Sequence, residues 1–270
     1  MQAQEGFMMK QFIINTCKTL VICTTLEAAA LTPVDVELQL LIDISGSIDG
    51  SEYDTQLLGY SNAFASDRVQ NAIIEGNIGQ IAVQMIMWSG ANNQEIMIDW
   101  TLIDSAAASD DFSIAIANIA RPFSGWTAIG SAIEYSYPLF DSNDFDGVSQ
   151  VIDISGDGTN NSGSSPSSAA TAALNHIDTI NGIVITDDQN VIDQYYNDVI
   201  GGDSAFLLAP AGFDEFQLAI ENKIVAEIEG TVPAGVVSIP APTTHLLYLT
   251  ALIMLGVSTK TTRRSQHETA

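Results

Sequence analysis

Asp43, Ser45 and Ser47 stand at alternate positions in the stretch LQLLIDISGS, residues 38–47. One carboxylate and two hydroxyls are hard oxygen donors, which suit Mg2+, Ca2+ or Mn2+ and suit thiophilic metals poorly. An apolar run with the bulk of a buried strand leads into them and helix-forming sequence follows, so the three residues sit at a strand end. Gly46 lets the backbone turn there, so that the three side chains can converge on one point above the strand. The pattern is a candidate cation site; the plain alternative is a set of turn and cap residues in an ordinary α/β domain.

Such a site needs a scaffold, and strand and helix signals alternate regularly from residue 36 onward. Strands are expected near 36–43, 81–88, 95–102, 148–154, 182–186 and 205–209. The short link 89–94 reads as a hairpin, which makes the third strand antiparallel to the second. Tyr53, Leu57, Tyr60 and Phe64 repeat at helical spacing behind Ser51-Glu52-Tyr53-Asp54, which resembles a capping box. Further helices are expected at 110–120, 128–140, 169–177, 191–200 and 213–228, the last marked by Phe213, Phe216, Ile220, Ile224 and Ile228. The expected fold class is α/β: a doubly wound, mainly parallel six-stranded sheet with one antiparallel edge strand and helices on both faces. Ligands of such folds bind beyond the carboxyl ends of the strands, where the strand order reverses.

Asp-x-Ser-x-Ser at the end of a first strand resembles the metal-ion-dependent adhesion site of von Willebrand factor type A domains. The resemblance spans about residues 35–230. It implies a Thr from a later loop and an Asp from a later strand end. Thr127 in FSGWTAIG, residues 123–130, and Asp157 in ISGDG, residues 154–158, stand in that order. The implied metal set is therefore Asp43, Ser45, Ser47, Thr127 and Asp157. In the family the hydroxyls contact the cation and the aspartates hold coordinating waters, leaving an open position for an acidic side chain of a protein partner. Mg2+ is the first expectation, with Ca2+ or Mn2+ as alternatives. Trp126 is expected to pack its loop against the sheet, with a place on the binding rim as the alternative. A polar loop, 159–168, borders the implied site. The run QYYNDVIGG, residues 194–202, further resembles a bacterial subfamily of secreted A domains whose role is unassigned.

Composition narrows the partners. The 270 residues carry 33 acidic and 8 basic side chains, a formal net charge of -25. Between the termini the basic residues are Arg68, Arg121 and Lys223. Nucleic acid and anionic membrane need Lys and Arg patches that this body lacks. The plain account of the acidity is a solvated surface that resists aggregation.

Residues 1–30 read as a secretory signal: Lys10 and Lys18, an apolar run 20–26, then Ala28-Ala29-Ala30 as the cleavage site, with Met8 or Met9 as alternative starts. Both cysteines, Cys17 and Cys23, fall in that leader, so no disulfide framework is expected in the body. Residues 231–242 form a linker and sorting motif, and 243–270 an apolar stretch followed by Lys260, Arg263 and Arg264. This tail is similar to the PEP-CTERM signal processed by an exosortase, although Ala241 stands where a Glu is expected and the apolar run is shorter than the roughly 20 residues that span a bilayer. Export to the surface or matrix of a Gram-negative-type bacterium follows, with membrane contact through the tail.

Three functional classes remain. The first is a metal-dependent adhesion module; the second, a surface or matrix protein with a purely stabilising metal; the third, a metal-assisted hydrolase. The third is the weakest, because the histidines are His176, His245 and His267 and no Ser-His-Asp or zinc spacing accompanies them. No enzyme is expected.

Overall fold

The computed structural model describes residues 30–237. The architecture below belongs to the unit that begins at Leu31. Residues 1–29 of the expected leader, and the expected sorting motif and tail from residue 238 onward, lie outside the described residues.

Chain order gives β1 (Thr32–Asp43), α1 (Gly50–Phe64), α2 (Asp67–Ile74), β2 (Ile81–Trp88), β3 (Gln94–Ile103), α3 (Ala106–Ala117) and α4 (Ile129–Ser136). A 3-10 turn (Tyr137–Ser142) follows, then β4 (Phe145–Gly156), α5 (Pro166–Ala173), β5 (Thr179–Val184), α6 (Gln189–Asp198), β6 (Gly201–Gly202), β7 (Leu207–Leu208) and α7 (Phe213–Glu229). The seven strands form one sheet in the order β3-β2-β1-β4-β5-β6, with β7 also on β5. Neighbouring strands run parallel except β3 on β2 and the two-residue β6 on β5. The doubly wound α/β class is the one expected, with seven strands in place of six. The extra piece, β6, is a Gly-Gly pair without the side chains that mark strands in a sequence. It shares one edge of β5 with β7, pairing at Thr179 and Ile180 while β7 pairs at Gly182 and Ile183.

Alternation along β1 divides the core. Leu38, Leu40 and Ile42 face one layer with Tyr60 and Phe64 of α1, Phe112 of α3 and Phe216 of α7. Leu41 faces the other, with Ile133 of α4, Ala169 of α5 and Tyr195 of α6. Both faces of the central strands are buried, which is why they read as nearly continuous apolar runs.

Helix boundaries differ locally from expectation. The capping box of α1 is Asp49 with Glu52, not a box opening at Ser51: the Asp49 side chain accepts from the Ser51 and Glu52 amides, and Glu52 accepts from the Asp49 amide. Helix α2 was absent from the sequence expectation; its eight residues are too few for a clear repeat, but Ser66 caps it and Val69 and Ile73 bury one face. The helix expected at 128–140 loses its α form at Tyr137, before Pro138, which has no amide proton to continue the hydrogen-bond pattern.

Helix α7 is pinned to the sheet by charge as well as by apolar contact. Lys223, fully buried, lies 2.7 Å from Asp153 of β4 and also donates to Glu227 one turn along. Asn181 of β5 donates to Glu227 at 3.1 Å and accepts from the Phe206 amide at 3.0 Å. Burial, and then the neighbouring Asp153 charge, push Glu227 up to about 8. Burial raises Asp153 as well, against the opposing Lys223 charge. Removing the cation strands buried negative charge, a loss of about 3–5 kcal/mol. Lys223→Met is expected to lower the unfolding free energy by about that amount in urea titrations.

Candidate functional site

Strand order reverses between β1 and β4, the two central parallel strands, and the candidate residues meet there. Asp43 is the last residue of β1, and Asp157 directly follows β4. Ser47 donates to Asp157 Oδ1 at 2.6 Å. The Ser45 and Ser47 hydroxyls lie 3.2 Å apart, and Thr127 Oγ1 donates to Ser45 Oγ at 3.3 Å. Asp43 Oδ1 accepts from the Ser45 amide at 2.7 Å. All five residues are therefore linked around one point: three hydroxyls form a chain and a carboxylate stands at each side.

Three loops are clamped to hold this arrangement. The Gly46 amide donates to the Gly125 carbonyl at 2.8 Å, joining the first loop to the Thr127 loop. The Asn161 side chain accepts from the Thr127 amide at 2.9 Å, while the Asn161 amide donates back to the Thr127 carbonyl at 2.9 Å. That exchange fixes the polar loop after β4 beside the site. Gln56 of α1 donates to the Asp43 carbonyl at 3.1 Å.

Two positioning groups were missed in the sequence. Arg121, read there only as part of a helix stop, inserts its guanidinium under the first loop and donates to the carbonyls of Ile44, Ser45 and Ile48 at 2.7, 2.8 and 2.9 Å. It also lies 5.5 Å above the Tyr53 ring centroid. Its scarcity was a usable signal, since a body with few cations is expected to use each one where charge matters. Tyr195 of α6 is the second. A Cβ at Gly156 would stand 2.2 Å from its hydroxyl and 3.0 Å from Asp43 Oδ2, so both polar groups crowd over that glycine and no larger residue fits. Nothing local in the sequence connects residue 195 to residue 43.

Electrostatically the site calls for a cation. Asp43 is fully buried, and its Oδ2 has no hydrogen-bond partner among the described residues. Burial foremost, with repulsion from Asp157 adding to it, pushes Asp43 up to about 8 against the opposing Ser45 amide bond. Asp157 is raised too, chiefly by burial, against the Ser47 hydrogen bond. A buried carboxylate oxygen left unpaired beside three hydroxyls and a second carboxylate fits a hard dication. Among the described residues, no group of three or more His, Cys, Asp or Glu side chains is placed to hold a metal ion by itself, and the set here relies on hydroxyls beside two carboxylates.

Trp126 corrects the sequence expectation. It is 70% exposed and does not pack its loop against the sheet, because the backbone on either side is already held by the Gly125 and Thr127 hydrogen bonds. His176 stacks on Tyr137 at 5.2 Å and lies 4.0 Å from Asp141. No helix among the described residues is long and apolar enough to cross a membrane.

The family model described as "Protein of unknown function (DUF1194)" matches residues 33–232. No curated protein matches the sequence. Among solved structures, proximal thread matrix protein 1 from the mussel byssus is similar with a TM-score of 0.56 at 15% identity, over 74% of this chain and 50% of that one. A form of that protein described as having a zinc-occupied MIDAS motif gives 0.54 at 17% identity, over 74% and 49%. The pilus adhesin SpaC from Lactobacillus rhamnosus GG, in its open conformation, gives 0.53 at 14% identity, over 74% and 30%. At these identities the likeness is one of fold, and this chain spans half or less of each of those chains.

The raised Asp43 makes a signed prediction for the metal-free protein. With a folded value of about 8 and an unfolded value of 3.8, the native state keeps a proton that the unfolded chain releases, so stability falls as pH rises from 3.8 towards 8. Asp43→Asn removes that dependence. In EDTA the variant is expected to melt above the parent near pH 8 and with it below pH 3.8. Glu227 contributes a fall of the same sign to both proteins and cancels in the difference. Thermal melts across pH test this; parallel curves would contradict it.

Proposed function

The chain belongs to the DUF1194 family, and on that premise we propose from the site's own geometry that it is a binding module working through a divalent cation. The cation is held at Asp43, Ser45, Ser47, Thr127 and Asp157, and it receives an acidic side chain of a protein partner. Mg2+ is the first expectation, with Ca2+ or Mn2+ as alternatives, because every donor is a hard oxygen. The observation that carries the reading is Asp43 Oδ2, buried and unpaired in the midst of those oxygens.

Each residue has a separate task. Ser45, Ser47 and Thr127 present neutral oxygens; Asp43 and Asp157 bring the negative charge that offsets a dication. Arg121 ties down the carbonyls of Ile44, Ser45 and Ile48 and so orders the loop that carries Ser45 and Ser47. When bound, the cation supplies a positive centre with a coordination position that an outside carboxylate can fill. The acidic body makes such a partner unfavourable in its absence, so binding should be switched by metal.

The fold shared with a pilus adhesin and with a mussel matrix protein described with a zinc-occupied MIDAS motif supports this reading. So does the sequence resemblance to von Willebrand factor type A domains. We take the module to be non-catalytic, in keeping with His176 being engaged by Tyr137. Its working place is the cell surface or matrix, a reading that rests on the leader-like start and the sorting-like tail.

Calorimetric titration with Mg2+, Ca2+ and Mn2+, and retention of envelope proteins with and without EDTA, test the proposal together. Asp43→Ala is expected to abolish metal binding and metal-dependent retention while leaving the circular dichroism unchanged, since no apolar core contact is removed. Retention that survives EDTA would put the partner surface elsewhere. A metal that raises Tm and leaves retention untouched would make the site purely structural.

A further inference from the structure

The two flanks of the site are chemically unlike. On one side of Asp157 lies a cleft of about 590 Å³ lined by Glu52, Asp187, Asp214 and Glu215 as well as Asp157 itself. On the other lies a cleft of about 440 Å³ with no charged residue in its lining, floored by Gly46, Gly125 and Gly158 and walled by Trp126, Asn161 and Val191. An acidic group approaching the centre is repelled along the first flank and admitted along the second. Glycine keeps the second open: a Cβ at Gly158 would project to 3.7 Å from Thr127 Oγ1 and 3.9 Å from Ser47 Oγ, directly over the hydroxyls.

Trp126 stands at this entrance. Other large apolar side chains are exposed, including Leu58, Ile114, Val148 and Leu218, but Trp126 is the one that lines the cleft over the site. Its exposure does not come from a loose loop, because Gly125 is bonded to Gly46 and Thr127 to Asn161 on either side of it. A rigid backbone presenting a free indole is a preorganised contact, one that immobilises little on binding. Aromatic side chains in such a position contribute area and stacking at low entropic cost.

We propose that this uncharged cleft docks a protein segment in which the acidic side chain is flanked by an aromatic one, with Trp126 as the face it packs against. The inference rests on the metal-dependent reading of the site. It adds a selectivity that the metal ligands cannot supply, because a cation alone does not distinguish one exposed carboxylate from another. The partner's aromatic ring lies against the indole while its carboxylate reaches past Thr127 to the centre.

The test uses the full chain with saturating Mg2+ and two probes, N-acetyl-Phe-Asp-Phe-amide and N-acetyl-Ser-Asp-Ser-amide, followed by peptide-observed NMR titration. The aromatic peptide is expected to bind about three- to ten-fold more tightly, the range given by one favourable aromatic contact. Trp126→Ala is expected to bring the two peptides within about two-fold of each other while leaving the Mg2+-dependent rise in Tm unchanged, since Trp126 donates nothing to the metal. Equal affinities in the parent, or a preference that survives in Trp126→Ala, overturn the role of Trp126 and leave the metal-dependent reading intact. Failure of both peptides to bind a protein that Mg2+ does stabilise overturns the acidic-partner reading, and this proposal with it.

Discussion

A carboxylate buried with one oxygen unpaired is the constraint on which the site depends. Asp43 ends the central strand of the sheet, where every neighbour is packed, and only its Oδ1 finds a partner in the Ser45 amide. Leaving a buried acceptor unmet is costly, and leaving a charge unmet costs more. The surroundings bring up the Ser45 and Ser47 hydroxyls of its own loop and the Thr127 hydroxyl of a second loop rather than a basic side chain. Arg121, close enough to lower the Asp43 pKa, turns its guanidinium to the loop carbonyls instead. Direct pairing by arginine would neutralise Asp43 permanently. Using arginine to shape the loop leaves Asp43 Oδ2 without a hydrogen-bond partner.

The same economy of cations runs through the molecule. Each of the three basic side chains in the described body is engaged: Arg68 with Glu221, Arg121 with the site loop, and Lys223 with Asp153 and Glu227. The first pair is exposed at the surface and contributes little. The other two are structural in a stronger sense, since one orders the loop that carries Ser45 and Ser47 and the other compensates charge beneath α7. Most of the remaining acidity lies on the surface, where water solvates it.

Positioning of the centre follows from topology. Because β1 and β4 are adjacent and parallel, the loops leaving their carboxyl ends diverge to opposite layers and open a crevice between them. Asp43 and Asp157 occupy its two lips, and the Thr127 loop closes it from the side through Gly125 and Asn161. Glycine at 156 makes room for the Tyr195 hydroxyl and the Asp43 carboxylate together, so α6 is fitted to the site from beneath.

The sequence by itself determined the layered α/β class and most strand positions, because burial on both faces writes continuous apolar runs such as 81–88 that survive any change of context. It also held the candidate residues that the structure brings together, since Asp-x-Ser-x-Ser at a strand end is local, and the resemblance drawn from it brought in Thr127 and Asp157. Weak local signals were lost: β6 is two glycines, α2 is two turns long, and the cap of α1 lies two residues before the Ser that imitates it. Only the tertiary structure decided the roles of Arg121, Tyr195 and Trp126. Arg121 acts on carbonyls more than 70 residues away, and the Tyr195 hydroxyl shares the space over Gly156 with the Asp43 carboxylate, relations that no sequence periodicity reports. For Trp126 the sequence allowed either burial or exposure. The choice was made by backbone hydrogen bonds that hold its loop without using the indole, which leaves the ring in solvent at the mouth of the site.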